Sequence, residues 1–431
     1  MCEWRSALNP DYHCRVSAEP GSDYCIFHEP GEKDVQRFKQ KFYEQIDGDG
    51  PEEARNPRYD FRGYFFPTGI VASGGSREAG QLILPKEIAG DLIGGEATIK
   101  GDANFGGAMF KGSPSFKHAM IEGHASFFNA RIGGHAYFED VTINGDANFM
   151  GATIGGHAFF VNATIERGTN FVDATIGANA SFERATIKGD AFFNIAMIGG
   201  DASFENAMIG GDASFENATI KRGANFCGAT FKGHVGVSET KMARISLGTR
   251  RPTILWLERN REGVTLKKWS SGHMFWTFAR RTFAKMDERE RADAAYYFEK
   301  LWRRRSRLAS SGRERLLAIV GYPFEVVFLR LPIAYGTSLV RPLISWAVLI
   351  VLFGGLYAGF PSLIGRMVKS VWTLSNWVIA LHFSVTTFTT LGLGDIHPGR
   401  LLGKALTSIE AVVGGVLMAL TVVVISRKLM R

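Results

Sequence analysis

From Ala97 to Lys232 large apolar residues return every eleven positions. Phenylalanine stands at 105, 116, 127, 138, 149, 160, 171, 182, 193, 204, 215 and 226. Ile or Phe stands at 99, 110, 121, 132, 143, 154, 165, 176, 187, 198, 209, 220 and 231. The two columns lie five and six residues apart in alternation, and Ala stands two before most of the Phe column. A helix repeats its apolar face every 3.6 residues, so this is not a helical pattern. Short extended pieces between Gly-rich corners predict a β-solenoid instead. Each large side chain then stacks on its counterpart one coil on, and each Ala fills the narrow remainder. Two units per coil give about 22 residues per turn. Twelve units make about six coils, or roughly 29 Å at a strand spacing near 4.8 Å.

Three residues before most of the Phe column stands a polar position: Asp102, His124, His135, Asp146, His157, Asp190, Asp201, Asp212. A histidine ladder there is one reading, since imidazole titrates near neutral pH. An exposed corner whose polar side chains satisfy turn backbone is the expected one, because the chemistry of the column varies freely. Asn162-Ala-Thr and Asn217-Ala-Thr fit the glycosylation pattern but carry no weight in a cytosolic solenoid. Glu96–His234 holds fourteen acids and ten bases, too mild a balance for nucleic-acid mimicry. Solenoid ends need caps. YDFRGYFFPTGI from Tyr59 leads into the first, and Val235–Thr265, where the repeat is lost, is expected to close the other.

Beyond the repeat the period changes. Lys33–Ile46 and Met274–Leu308 read as amphipathic helices, the second with Phe283, Met286, Ala294, Tyr297 and Leu301 on its inner face and Glu290 interrupting it. Pro342–Phe360 has no charge and Leu401–Ser426 few, and each is long enough to cross hydrocarbon. Leu316–Tyr335 is apolar too, but Pro323, Glu325, Arg330 and Pro332 make it interfacial rather than spanning. Asn376–Phe388 is too short to span. It reads as a half-helix that enters the membrane and returns through Thr389–Asp395. Extended backbone at that depth must be buried in protein or line a water-filled path. Gly392 and Gly394 permit backbone angles that other residues resist, so that successive carbonyls can point one way. The carbonyls of Thr390, Leu391, Gly392 and Leu393, with the Thr390 hydroxyl, form an oxygen ladder in this reading. Four chains turn each rung into a ring that replaces the water around an ion.

Charge supports a membrane location. The chain is +8 overall, and Lys300–Arg341 carries nine Lys/Arg against two Glu. A basic belt just before an apolar span faces anionic lipid headgroups. Nucleic acid is disfavoured, as no recognition motif accompanies the belt. Arg330 and Arg341 precede the first span; Arg427, Lys428 and Arg431 follow the second. Both chain ends are therefore expected in the cytoplasm. Met1–Pro51 is polar and charged, so no cleavable leader is expected.

The four cysteines are too few for a disulfide framework in 431 residues. Three fall in the first 28 positions. Cys25 and His28 are spaced to share one metal, and Cys2 and Cys14 complete a tetrahedron. His13 is a competing nitrogen ligand, and three unligated thiols are the bland alternative. A segment this small needs zinc to supply its folding free energy, and four protein ligands leave no open position for catalysis.

The repeat resembles pentapeptide-repeat proteins, whose units centre on a large apolar residue with a small residue two before it. The extra residue in every second unit departs from that pattern and leaves the coil cross-section open. Thr390-Leu391-Gly392-Leu393-Gly394-Asp395, with Pro398 after it, resembles the pore signature of potassium channels, commonly Thr-Val-Gly-Tyr-Gly-Asp. The likeness extends through outer helix, pore helix, filter and inner helix. It implies a homotetramer with potassium as permeant ion and those six residues as the selectivity filter. It also places Gly414, doubled by Gly415, where such channels carry a gating hinge; close helix packing is the competing role. Leu393 replaces the usual aromatic brace, and Thr386 stands where some members carry an acid. His382 is a candidate contact for Asp395. Glu410 on the inner helix is expected to pack against the pore helix rather than line the path.

The expected fold is thus mixed: a cytosolic β-solenoid, an α-helical two-span tetrameric ion-channel pore domain and a small zinc-binding N-terminal segment. The divisions are 1–50 zinc segment and helix, 51–96 lead-in cap, 97–234 solenoid, 235–340 trailing cap, linker helix and interfacial segment, and 341–431 pore domain. The function this implies is a passive potassium channel coupled to the solenoid, which leaves room for an unknown protein partner. A weakly selective monovalent cation channel and a membrane-anchored scaffold with a vestigial pore are the alternatives. No arginine-striped span supplies a voltage sensor, and no Walker motif, nucleophile elbow or H-E-x-x-H suggests an enzyme.

Overall fold

Each 22-residue coil of the repeat carries four two-residue strands, and every strand pairs in parallel with the one 22 positions on. Met120 faces Thr142, Ala125 faces Ala147, Arg131 faces Thr153 and Ala136 faces Ala158. The cross-section is therefore four-sided. Nine strands stack on each of two faces, and the other two faces join into one fourteen-stranded sheet where Thr219–Asn225 runs across their shared corner. The extra residue of every second step lies in the corner after each Phe. There the Phe carbonyl accepts from the N–H three residues on, as from Ala108 to Phe105 at 3.1 Å. The residue between, at 107, 118, 129 and every eleventh position to 239, has a positive φ. That is the turn geometry that favours Gly, Asn and Asp, which fill most of this column.

The computed structural model describes residues 2–9, 11–30, 34–48, 59–72, 81–247, 265–266, 269–310, 312–330, 332–338, 340–364, 374–390, 397–399 and 401–429. It divides into two units, 1–251 with 258–295 and 252–257 with 296–431.

Inside the first unit the Phe column forms two parallel stacks. Phe127, Phe149 and Phe171 lie 4.9 and 4.8 Å apart with nearly parallel rings, and Phe160 meets Phe149 and Phe171 edge-on at 5.4 and 5.6 Å. Offset stacking within a column and edge-to-face contact between columns are the two arrangements aromatic quadrupoles favour. The polar column does what its variety suggested. Each side chain accepts a hydrogen bond from the backbone N–H one coil on: Asp102 from His124 at 2.7 Å, His124 Nδ1 from Asp146 at 2.9 Å, His135 Nδ1 from His157 at 2.9 Å and Asp190 from Asp212 at 2.7 Å. Some glycines two before that column are held tightly: a Cβ on Gly177 would sit 2.2 Å from the Gly155 carbonyl oxygen.

The coil is longer than the expected six turns, at about seven. The lead-in segment already keeps the coil register, with Glu87 facing Met109 and Leu92 facing Pro114. At the trailing end Val235–Gly236 and Lys241–Ser246 pair in parallel with the coil before, and 248–264, the rest of the expected closing segment, lie outside the described residues. Helix α1 (Val35–Asp47) packs at the start, burying Phe38, Phe42 and Ile46. Helix α2 (Trp269–Lys285) packs at the far end, where Phe275 meets Phe226 edge-on at 6.2 Å. The expected single helix over Met274–Leu308 is two, because α3 (Arg289–Ala309) starts anew after Asp287 turns left-handed at φ 55°.

In the second unit α4 (Arg313–Val320) and the turn α5 (Tyr322–Phe324) lead into a wide helical turn, Glu325–Arg330. Then come α6 (Val340–Gly359), α7 (Leu374–Phe388) and α8 (Leu401–Leu429).

Candidate ion-conduction and metal sites

Helix α6 and the Leu401–Ser426 stretch of α8 are long and apolar enough to cross a membrane, with mean hydropathies of 1.8 and 2.3. Helix α7 has 15 residues, about 22 Å at 1.5 Å per residue, short of the roughly 30 Å of hydrocarbon. It packs against both long helices. Phe353, Tyr357 and Ala358 of α6 and Ala380 and Phe383 of α7 form one buried cluster. Gly354 lets α7 approach, since a Cβ there would lie 2.8 Å from the Leu381 side chain.

A polar knot ties the three helices together. Glu410 of α8 is 1% exposed. It accepts from the Tyr357 hydroxyl of α6 at 2.7 Å and from the Ser384 hydroxyl of α7. Ser384 also reaches the Ile350 carbonyl at 3.1 Å. Glu410 therefore packs against α7, as expected. An acid inside an apolar span requires donors, but its two partners were not legible from spacing: Tyr357 stands 53 residues away in the chain.

Helix α7 ends in a turn at Thr389 and Thr390. The Thr390 N–H bonds to the Thr387 carbonyl at 3.1 Å, and Thr390 has φ 56°. A β-branched residue resists that left-handed region, so the backbone is held against its preference where the expected filter begins. Leu391, Gly392, Leu393, Gly394 and Asp395 lie outside the described residues, as does any contact of His382 with Asp395; His382 itself is exposed. Thr386 is buried and bonds to the Phe383 carbonyl at 2.9 Å. Helix α8 runs unbroken through Gly414 and Gly415. Their surroundings differ. A Cβ on Gly414 would lie 2.5 Å from the Phe388 carbonyl oxygen, whereas one on Gly415 meets nothing within 4 Å.

The N-terminal cysteines converge. The ligand atoms of Cys2, Cys14, Cys25 and His28 all lie within 4.8 Å of one another, and all four residues are buried. Cys14 and Cys25 sulfurs are 3.7 Å apart, and His28 Nδ1 lies 3.5 Å from Cys2 Sγ and 3.2 Å from Cys25 Sγ. A tetrahedron with bonds of about 2.3 Å to sulfur and about 2.0 Å to nitrogen has edges near these lengths. The sulfurs are too far apart for disulfides. Hydrogen bonds from Cys14 and Cys25 hold the Cys2 thiol well below its ordinary pKa. The other imidazole nitrogen of His28 bonds to the Arg62 carbonyl at 2.9 Å, which orients the ring as metal-bound histidines are usually oriented. Trp4 stacks on that ring at 4.3 Å, and Gly63 makes room for Trp4, since a Cβ there would lie 2.0 Å from the indole. His13, the competing ligand, is exposed and lies outside the group; its backbone pairs with that of Arg5. These outer partners had no sequence signal beyond their aromatic or glycine character.

Two family models match the chain. One, described as an ion channel, covers residues 345–431, and the other, pentapeptide repeats in nine copies, covers 105–153 and 196–241. The chain joins an ion-channel domain to a pentapeptide-repeat solenoid. The channel domain begins within α6 and takes in all of α7 and α8, so the three-helix knot around Glu410 belongs to it. With its two apolar helices, that domain makes this a membrane protein. Searches of curated proteins and of solved structures found no significant match.

Proposed function

We propose that four copies of this chain form a passive potassium channel whose filter is Thr390–Asp395. The left-handed Thr390 at the end of a short helix, braced between two membrane-length helices, carries this reading. The glycines that follow allow the carbonyls of 390–393 to face one axis. In this reading the N- and C-termini are cytoplasmic and the basic belt over 300–341 faces anionic headgroups. The Cys2–Cys14–Cys25–His28 group holds zinc as a structural ion, which closes the N-terminal segment and leaves no position open for chemistry. Gly414 and Gly415 form the point where α8 bends when the pore opens. The solenoid acts on the pore through α3 and leaves its outer faces to a partner.

Leu393 favours a second reading, a channel that passes sodium as well, because a leucine cannot hydrogen-bond to the pore helix and stiffen the filter. Potassium flux into liposomes containing the purified tetramer tests the proposal. Flux in the wild type and its loss in Gly392→Ala are expected. Silence in both, with the tetramer intact, would leave a membrane-anchored scaffold as the better description.

A further inference from the structure

The polar knot among α6, α7 and α8 holds more oxygen contacts than its hydroxyls have hydrogens. Glu410 of α8 meets the Tyr357 hydroxyl through Oε2 at 2.7 Å and the Ser384 hydroxyl through Oε1. Ser384 Oγ also lies 3.1 Å from the Ile350 carbonyl oxygen of α6. A hydroxyl carries one hydrogen and an ionised carboxylate none. With Glu410 ionised, two hydrogens therefore serve three contacts. If the carboxylate takes both, the Ile350 carbonyl contact is left empty. A hydrogen on Glu410 completes the count. Tyr357 then donates to Oε2, the acid hydroxyl at Oε1 donates to Ser384 Oγ, and Ser384 donates to the Ile350 carbonyl.

The surroundings supply no counter-charge. Tyr357 and Ser384 are fully buried and Glu410 nearly so, and the Phe383 ring closes over Tyr357 edge-on at 5.1 Å. Among the described residues, the cations on these helices lie elsewhere. Arg341 sits over the Tyr297 ring at 5.6 Å, and His382 and Lys404 are exposed. Arg427 and Lys428 stand roughly 25 Å further along α8. A carboxylate in an apolar span with no cation beside it is expensive, and a neutral acid with both oxygens bonded costs far less.

We infer that Glu410 is a neutral carboxylic acid whose hydrogen completes a one-way relay from Tyr357 through Glu410 and Ser384 to the Ile350 carbonyl. The relay fixes α8 to α6 and α7 at once, and Glu410 is its positioning residue. Glu410 stands four residues, about one helical turn, before Gly414. Ser384 stands six before Thr390. The early part of α8 is thereby tied to the helix whose end carries Thr390, and any bend at Gly414 and Gly415 is left to the later part. That consequence deepens the proposed channel reading and rests on it; the hydrogen on Glu410 does not.

Infrared difference spectroscopy reads the hydrogen directly, because only a protonated carboxyl shows the acid carbonyl band. The sample is the full-length protein at neutral pH in an ester-free detergent. Subtracting Glu410→Gln from the wild type should leave one such band, which moves down in heavy water. Ser384→Ala and Tyr357→Phe each remove one bond from the carboxyl and should each move the band up. Glu314→Gln, an exposed acid on α4, should leave it in place. An amide offers the same donor and acceptor as the acid, so Glu410→Gln should melt within about 3 °C of the wild type, and Glu410→Ala about 5 °C or more below it. No band in a folded wild type would overturn the proposal and make Glu410 a carboxylate. A band that Ser384→Ala leaves unmoved would overturn the direction of the relay, and a Gln variant that melts as low as the Ala variant would overturn the neutral acid. If Glu410→Gln fails to assemble, the Ser384→Ala and Tyr357→Phe spectra against the wild type still show the shifted band or its absence. Potassium flux in liposomes keeps the two readings apart. A band without flux sinks the channel and spares the relay; flux without a band does the reverse.

Discussion

Two adjacent glycines on α8 offer a controlled comparison. Gly414→Ala and Gly415→Ala add the same methyl group to the same helix and change helix propensity equally, each in the favourable direction. Only their neighbours differ. At 414 the new carbon would lie 2.5 Å from the Phe388 carbonyl oxygen, and ordinary contact begins at 3.4 Å. The end of α7 must therefore retreat by about 0.9 Å, and overpacking of this kind costs about 1–3 kcal/mol. Phe388 is the last residue of α7, two before Thr390. Functional geometry tolerates displacements of about 0.5 Å, so in the proposed pore the start of the filter leaves its working position. At 415 nothing within 4 Å needs to move. Single-channel recording of both variants, with tetramer thermal stability measured in parallel, reads the difference. Gly414→Ala should lower conductance or potassium preference and destabilise the tetramer; Gly415→Ala should leave the filter untouched and at most change open probability. Equal losses in the two variants, or a silent Gly414→Ala, would refute the steric reasoning and favour bending at the glycine pair as the only role of both.

Other consequences are simpler to read. Phe171→Ala removes a fully buried ring from the middle of its stack and should cost about 3–5 kcal/mol; hydrogen exchange should show the loss concentrated in the coils on either side, because each coil touches only its neighbours. Ile195 is a β-branched, 58% exposed residue at φ 62°. Ile195→Asn should therefore stabilise its turn by about 1 kcal/mol, seen as slower exchange of nearby amides; a loss of protection there would refute the turn assignment. Zinc should be found at one ion per chain by elemental analysis. A chelator or Cys25→Ser should expose 2–30 to protease, and affinity should fall as pH drops, because protons compete for the thiolates and the imidazole.

The solenoid was legible almost to the residue, because one coil repeats another and a period survives in the letters. The 22-residue register and both Phe stacks follow from it. What the period could not carry was the cross-section. That depends on which corner takes the extra residue, and the sign of φ at 107, 118 and their successors decides it. The ends were less legible for the same reason: Glu87, Leu92 and Val235 keep the register without keeping the letters. In the metal group, local spacing identified Cys25 and His28, and all four residues converge. Trp4 and the Arg62 carbonyl, which fix the imidazole, come from tertiary packing alone. The two helices long and apolar enough to cross a membrane were visible as span lengths. The bond from Tyr357 to Glu410 was not, since a hydroxyl on one apolar helix gives no sign of which distant acid it will meet.

The most direct measurement is the bi-ionic reversal potential of the reconstituted channel, with potassium on one side of the bilayer and sodium on the other. A reversal strongly displaced toward the potassium equilibrium potential is expected, with the current lost in Gly392→Ala. A reversal near zero would contradict potassium selectivity and point to Leu393 as its weakness, and an intact tetramer that carries no current would contradict conduction itself.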